Sequence, residues 1–296
     1  MDSEQTSGSG QQQVLSKNYL KAKIVFIGTV TCETGLHIGG VEMGVDVGGI
    51  DKFVIRNPLN DQPYIPGSSI KGKIRSLLEL ATIPVSKLIE SAGGIIGTMP
   101  EDAQVMGLFG KAIKRENETE GAANQGTAAS IPNSAQTNGN THGTGSKVLF
   151  RDAILVERPG LALYSNGLKF TERKAENVLT RIKLTATPRQ IERVPAGTSF
   201  KFSMILNVDS DNQSKFVEQL ELLQLGYQLL GLDGLGGMVS RGYGQVDIKW
   251  GKIEVWRVTN SKLTLEKSFA ATGEVGIEFS DIIEYAKNDL AGKIQE

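Results

Sequence analysis

Cysteine is nearly absent: Cys32 is the only thiol in 296 residues. That excludes an internal disulfide and a cysteine-based zinc site. Histidine is almost as scarce, with only His37 and His142. His142 sits in a polar stretch with no structural pattern, so ribonuclease chemistry built on two imidazoles is not supported. A Ser–His–Asp triad could use only His37, and no nucleophile-elbow motif is present. No apolar run reaches the roughly 18 residues that mark a membrane span. The first residues, "MDSEQTSGSGQQQ", lack the basic and apolar regions of a signal peptide. A cytoplasmic protein with no membrane partner is therefore expected. Charge of one sign is also missing: 32 basic and 33 acidic residues leave a net charge of −1. A free-standing polycationic nucleic-acid binder is not indicated, although a local basic groove is compatible with that sum.

What is present is enough apolar sequence for a sizeable core, 39% of residues, and 35 glycines. Residues 1–18 read as a disordered tail. "KAKIVFIGTV" alternates as a strand, with Ile24 and Phe26 on one face and Val25 and Ile27 on the other. The glycine-rich "ETGLHIGGVEMGVDVGGIDKF" is too long for a tight turn, and long irregular segments in compact domains are often functional. Ile70, Ile74, Leu77, Leu78 and Ala81 recur at helical spacing. That helix is expected to start at Ser68 or Ser69, which are good N-caps after Pro66. Residues 111–147 are polar, small and glycine-rich. They cannot bury enough apolar area to offset ordering entropy and read as a disordered insertion. An extended hairpin arm follows at about 165–195, with Pro188 at its turn or edge. In "TSFKFSMILNV", Phe200, Phe202, Met204, Leu206 and Val208 share a face. A helix, "SKFVEQLELLQLGYQLLG", and a second glycine-rich loop, "GLGGMVSRGYGQVDIKW", complete the pattern. "FSDIIEYAKNDL" adds an amphipathic segment near the end. The order strand, helix, strand, arm, strand, helix, strand predicts an α+β, ferredoxin-like core over 19–257. Residues 258–296 read as a C-terminal extension.

"PGSSIKGKIRS" almost spells a phosphate-binding P-loop. A P-loop follows a buried strand and places Ser or Thr after the lysine to hold Mg²⁺. Here a turn-like "NPLNDQPYI" precedes the motif, and Ile74 occupies the hydroxyl position on the apolar face. An ATPase reading fails on both counts. Lys71, Lys73 and Arg75 nevertheless crowd the first two turns, where cations oppose the helix dipole. One reading is a solvated polar face. The other is an anion site at a helix N-terminus, where a phosphate backbone removes the mismatch. In "GGMVSRGYG", Gly236, Gly237, Gly242 and Gly244 surround Arg241 and Tyr243. Glycines allow close approach, Arg pairs with phosphate and Tyr stacks on bases. The alternative is a glycine-rich turn with Tyr243 in the core. Asp51, in "GGIDKF", is read as a turn former or as a carboxylate able to reach a scissile phosphate.

"ETGLHIGG", "GGIDKFVIRNP", "IPGSSIKGKIRSLLE", "LFG", "FRDA", "ATPRQIERVPAG" and "LGGMVSRGYGQV" occur in this order. The set, from about residue 20 to 250, resembles the RAMP superfamily. It is most similar to the backbone subunits of type III CRISPR effector complexes, of the kind that stands third in the Csm (type III-A) complex. The resemblance implies an RNA-recognition-like core that stacks along a guide RNA and a thumb hairpin that wedges into the guide–target duplex. Target RNA is then cut at regular intervals. It implies as partners guide RNA, target RNA, further copies or related RAMP subunits, a large polymerase-like subunit and small helical subunits. Asp51 matches the family's catalytic aspartate, expected to bind Mg²⁺ or another divalent metal or to help activate a ribose 2′-hydroxyl. Asp46 is a less well matched competitor. His37 matches a recurrent family residue and is expected either to pack at a strand end or to contact RNA. Ser69, Lys71, Lys73, Arg75, Gly237, Arg241 and Tyr243 are assigned to RNA, as are Arg189, Gln190 and Arg193 of the thumb. Ile191 and Val194 are assigned to packing. The longer N-terminal extension, the 111–147 insertion and the thumb sequence "ENVLTRIKLTATPRQ" depart toward a divergent subtype. Some such siblings are non-catalytic RNA-binding backbones, which is the alternative function; Asp51 is retained here.

Overall fold

Alternation of apolar and polar residues along Leu20–Cys32 produces β1, with Ala22, Ile24, Phe26, Val30 and Cys32 fully buried and Val25 and Ile27 on the more open face. The computed structural model describes residues 19–40, 52–83, 103–110, 145–157, 169–180, 185–273 and 275–295. The expected tail 1–18, residues 111–144 of the insertion and both candidate aspartates, Asp46 and Asp51, lie outside the described residues.

Around β1 a seven-stranded sheet forms from β2 (Tyr64–Ile65), β3 (Val148–Phe150), β4 (Ala153–Leu155), β7 (Ser199–Asp209), β8 (Val246–Thr259) and β9 (Lys262–Ala270). The order is β2-β4-β7-β1-β8-β9, with β3 also paired to β7. β1 is antiparallel to both β7 and β8. The four central positions β4-β7-β1-β8 carry the strand order of a ferredoxin-like sheet, as the sequence pattern predicts. β5 (Glu172–Thr180) and β6 (Thr185–Arg193) form a separate two-stranded ribbon, the expected arm. Pro188 lies within β6 opposite Asn177; a two-stranded ribbon is all edge, so a missing N–H there is tolerated.

One face of the sheet is covered by α1 (Gly67–Thr82), α3 (Phe216–Asp233) and α4 (Phe279–Tyr285). Phe200, Phe202, Met204, Leu206 and Val208 of β7 all point into this core, and each large side chain so buried stabilises the fold by about 1.5–3 kcal/mol. Phe26 stacks on Phe279 at 4.9 Å, and Tyr227 meets Trp250 edge-on at 5.2 Å. Gly226 permits the crossing of α1 and α3, since a Cβ there would lie 2.6 Å from Ile74 Cγ2. A short helix, α2 (Ala103–Phe109), ends at Gly110 with φ 80°. The chain closes with a π-helical stretch, Ala286–Leu290, and α5 (Ala291–Gln295).

Three expectations need correction. The boundary at 257 cuts through β8, and the residues beyond it supply β9 and the core side chains Phe279, Ile282, Ile283, Leu290 and Ile294. The C-terminal segment belongs to the same packed unit. α1 starts at Gly67, not at a capping serine, because Asp152 Oδ1 accepts from Gly67 N at 2.8 Å. Ala81 faces solvent and does not join the apolar stripe.

Candidate nucleic-acid interface

Four chain segments meet at one end of β1: the "GLHIGG" turn, Lys52–Arg56, the root of the ribbon and the second glycine-rich loop. The two glycine loops close on each other. Gly237 N donates to His37 O at 2.9 Å and Gly244 N to Gly35 O at 3.0 Å. Gly236 has φ 79°, and a Cβ on it would strike His37 O. The close approach that glycine permits there is to protein backbone. At Gly237 an added Cβ would meet nothing nearer than 3.6 Å, which leaves that half-buried position room for another group.

The ribbon root is stitched into the body. Leu36 and Val194 exchange backbone hydrogen bonds at 2.9 and 2.8 Å, and Glu192 N donates to Lys52 O at 3.1 Å. The Glu192 side chain is only 1% exposed. Its Oε2 accepts from Val54 N at 2.9 Å, while Oε1 accepts from Arg56 Nη2 at 2.5 Å and Thr171 Oγ1 at 2.6 Å. A buried carboxylate is tolerated because both oxygens accept hydrogen bonds, three in all, and one of the donors is a cation. The carbonyl of the same residue lies 2.7 Å from His37 Nδ1. A carbonyl only accepts, so Nδ1 carries the hydrogen and the tautomer is set. His37 is 5% exposed, a packed histidine at a strand end. Sequence reading passed over Glu192 within "PRQIER", because its partners lie far away in the chain.

On its other face the ribbon meets the second glycine loop. Tyr243 is 1% exposed and its hydroxyl donates to Glu176 Oε1 at 2.7 Å. Lys174 Nζ lies 4.5 Å, and the Arg193 guanidinium 5.1 Å, from the ring centroid. The ring is buried and its hydroxyl is committed to Glu176, so Tyr243 does not offer a stacking platform to a base. The core alternative describes it. Burial, then the hydrogen bond and charge of Glu176, raise its phenol to about 12. That same hydrogen bond leads the causes that hold Glu176 below the usual carboxylate range. Arg193 is also committed, with Nε 2.6 Å from Glu172 Oε1. Arg241 is 62% exposed on its side chain and lies 3.4 Å from Glu176 Oε2. Arg189 and Gln190 are exposed on β6.

The basic helix is placed apart from the ribbon root. Lys73 pairs with Asp233 at 3.1 Å, immediately before the glycine loop. Arg75 pairs with Glu79 at 2.7 Å and donates to Gly110 O at 3.1 Å. Among the described residues Lys71 has only a neutral partner, Ser146 Oγ at 2.9 Å. Burial, and then repulsion from Arg75, lower the Lys71 pKa. The helix N-terminus itself is less free than expected. Besides the Asp152 contact, Ser69 N donates to Pro66 O at 2.9 Å, and Ser69 is a first-turn residue rather than a cap. Because α1 begins at Gly67, the three cations fall in its second and third turns. The dipole term has largely decayed there, which removes the expected mismatch. Ile74 is fully buried, and the strand before the helix has only two residues, so the nucleotide-binding reading stays excluded.

Among the described residues, no group of three or more His, Cys, Asp or Glu is arranged to hold a metal ion. Both carboxylate oxygens of Glu192 are committed. No helix among the described residues is long and apolar enough to cross a membrane.

The chain thus has a ferredoxin-like sheet carrying a two-stranded ribbon between its second and third core strands, with a glycine-rich loop folded against the ribbon. The RAMP superfamily profile matches residues 29–247, and the chain belongs to that superfamily. It is 35% identical over 227 residues to the CRISPR system Cms endoribonuclease Csm3 of Streptococcus thermophilus, covering 76% of this chain and 86% of that protein. To the protein of the same name from Methanothermobacter thermautotrophicus it is 34% identical over 238 residues, covering 79% and 84%. The crystal structure of Methanopyrus kandleri Csm3 shares the fold, with a TM-score of 0.51 at 18% identity over 93% of this chain and 98% of that one.

Proposed function

We propose that this protein is a backbone subunit of a type III CRISPR effector complex that binds guide RNA and cleaves the paired target RNA at regular intervals. Superfamily membership and relatives of 34–35% identity named as endoribonucleases support the reading. Its partners are guide RNA, target RNA, neighbouring RAMP subunits, and the large and small subunits of such a complex. The observation that carries the assignment of Asp51 is the anchoring of the next residue. Lys52 O accepts from Glu192 N, and Val54 N donates to the Glu192 carboxylate. The segment that begins directly after Asp51 is thus fixed to the ribbon root, and in this family the ribbon is the thumb that enters the duplex.

Asp51 supplies the carboxylate at the scissile phosphate. It takes the proton of the adjacent 2′-hydroxyl or holds a divalent cation, which when bound would neutralise phosphate charge. Lys71 and Arg241 neutralise RNA phosphates, Lys73 and Arg75 beside them being already paired with Asp233 and Glu79, and Arg189 and Gln190 are exposed on opposite faces of the thumb. Asp51→Asn in the reconstituted complex tests the assignment. Cleavage should fall by at least about 100-fold while target binding stays within about twofold. Wild-type cleavage by the variant would refute it.

A further inference from the structure

Strand alternation gives the ribbon two distinct faces. Glu172, Lys174 and Glu176 are half-buried on one side, and Arg173, Ala175 and Asn177 are exposed on the other. The antiparallel register pairs Glu172 with Arg193 and Arg173 with Glu192. The face bearing Glu172, Lys174, Glu176 and Arg193 meets Tyr243 and Arg241 of the glycine loop. Glu192, on the opposite face, meets Val54 and Arg56. A two-stranded ribbon standing off a sheet has no core of its own and is marginally stable. Its direction is set by what grips its root.

We propose that Tyr243 is a positioning residue that clamps the thumb through Glu176, opposite the Glu192 network, so that the ribbon and the segment following Asp51 move as one body. The proposal rests on the function assigned above only for its catalytic consequence; the clamp itself is a property of the chain. Four features make it specific. The Tyr243 hydroxyl ends on a carboxylate of β5, its ring lies beneath Lys174 and Arg193, and Gly242 and Gly244 flank it with φ 82° and 74°. Gly35 completes the seat, since a Cβ there would strike the Arg193 side chain. The glycines around Tyr243 thus shape the loop that delivers the phenol to the ribbon.

The test is hydrogen–deuterium exchange on the assembled complex, read at the Glu172–Thr180 amides, together with the positions and rates of target cleavage. Tyr243→Phe removes only the hydroxyl, and Tyr243→Leu also removes the aromatic face. Exchange in Glu172–Thr180 should rise on the order of tenfold for Phe, the loss of one charge-assisted hydrogen bond, and further for Leu. The β1 and β7 amides should stay protected in both. Tyr243→Leu should lower the single-turnover cleavage rate on the order of tenfold or more and spread the cut sites, with target affinity within about twofold. Phe should restore most of the rate. Unchanged ribbon exchange in both variants overturns the proposal. So does faster exchange with wild-type cut sites and rate. If Leu loosens β1 and β7 as well, the Phe variant alone decides. If the wild-type complex does not cut RNA, the function proposed for Asp51 falls, and the exchange measurement still decides the clamp.

Discussion

Lys71 differs from its neighbours on α1 in having no carboxylate partner among the described residues. Lys73 is neutralised by Asp233 and Arg75 by Glu79, whereas Lys71 has a serine hydroxyl and a nearby guanidinium. Burial first, and then repulsion from Arg75, lower its pKa, and a bound phosphate would favour its charged form. Lys71→Ala should therefore weaken RNA binding about equally for all sequences and reduce the slope of log affinity against log salt by about 1. Titrations at several salt concentrations check this, and an unchanged slope would remove Lys71 from the interface. Tyr243 carries a pH prediction. Its phenol is raised from 10.0 to about 12. Below pH 10 the phenol is protonated in folded and unfolded chains alike, and its contribution to stability is intact. Between 10 and 12 the unfolded chain loses the proton first, so stability falls as pH rises through that window. The Glu176 carboxylate works in the opposite direction. Lowered from 4.5, it contributes above that pH, and the contribution fades as pH falls further. Denaturant midpoints against pH should lose the alkaline slope in a Tyr243→Phe variant and keep part of the acidic one, because Lys174 and Arg241 also lower the Glu176 pKa. At this scale the residue types around the site were legible in the sequence, but their commitments were not. Arg193 and Tyr243 look like RNA ligands in a one-dimensional reading, and each is spoken for by groups tens of residues away.

Periodicity made the central elements readable. β1, β7 and α1 alternate or repeat at the spacing of their own geometry, and each forms over the stretch the pattern marks, the start of α1 apart. β9 carried no such signal, because it is an edge strand with exposed residues along almost its whole length. The start of α1 was misplaced for a different reason. Local rules favour a serine cap, but the cap comes from Asp152, 85 residues away in "FRDA". A tertiary cap leaves no local trace. Its energetic weight can be measured. Asp152→Ala should cost about 1.5–3 kcal/mol, the range for a hydrogen bond to a charged group, and Asp152→Asn less. Urea denaturation of the two variants gives the comparison. A loss under about 0.5 kcal/mol for alanine would mean that water replaces the carboxylate at Gly67.

The whole molecule is a sheet with one face devoted to its core and one end devoted to a thumb. The loop holding Asp51 joins that end at Lys52, where the backbone is pinned to the ribbon root. A net charge of −1 is compatible with such a subunit, because only one surface of each copy need be basic to hold RNA phosphates. The central claim is that this end cuts guide-paired RNA through Asp51. The most direct test uses the assembled complex with a labelled RNA complementary to its guide, comparing wild type with Asp51→Ala, each with Mg²⁺ and with chelator. Evenly spaced products that require both Mg²⁺ and Asp51 are the expected result. Tight target binding by the wild type without cleavage, or equal cleavage by Asp51→Ala, would contradict the account and leave the subunit a structural backbone or the chemistry elsewhere in the complex.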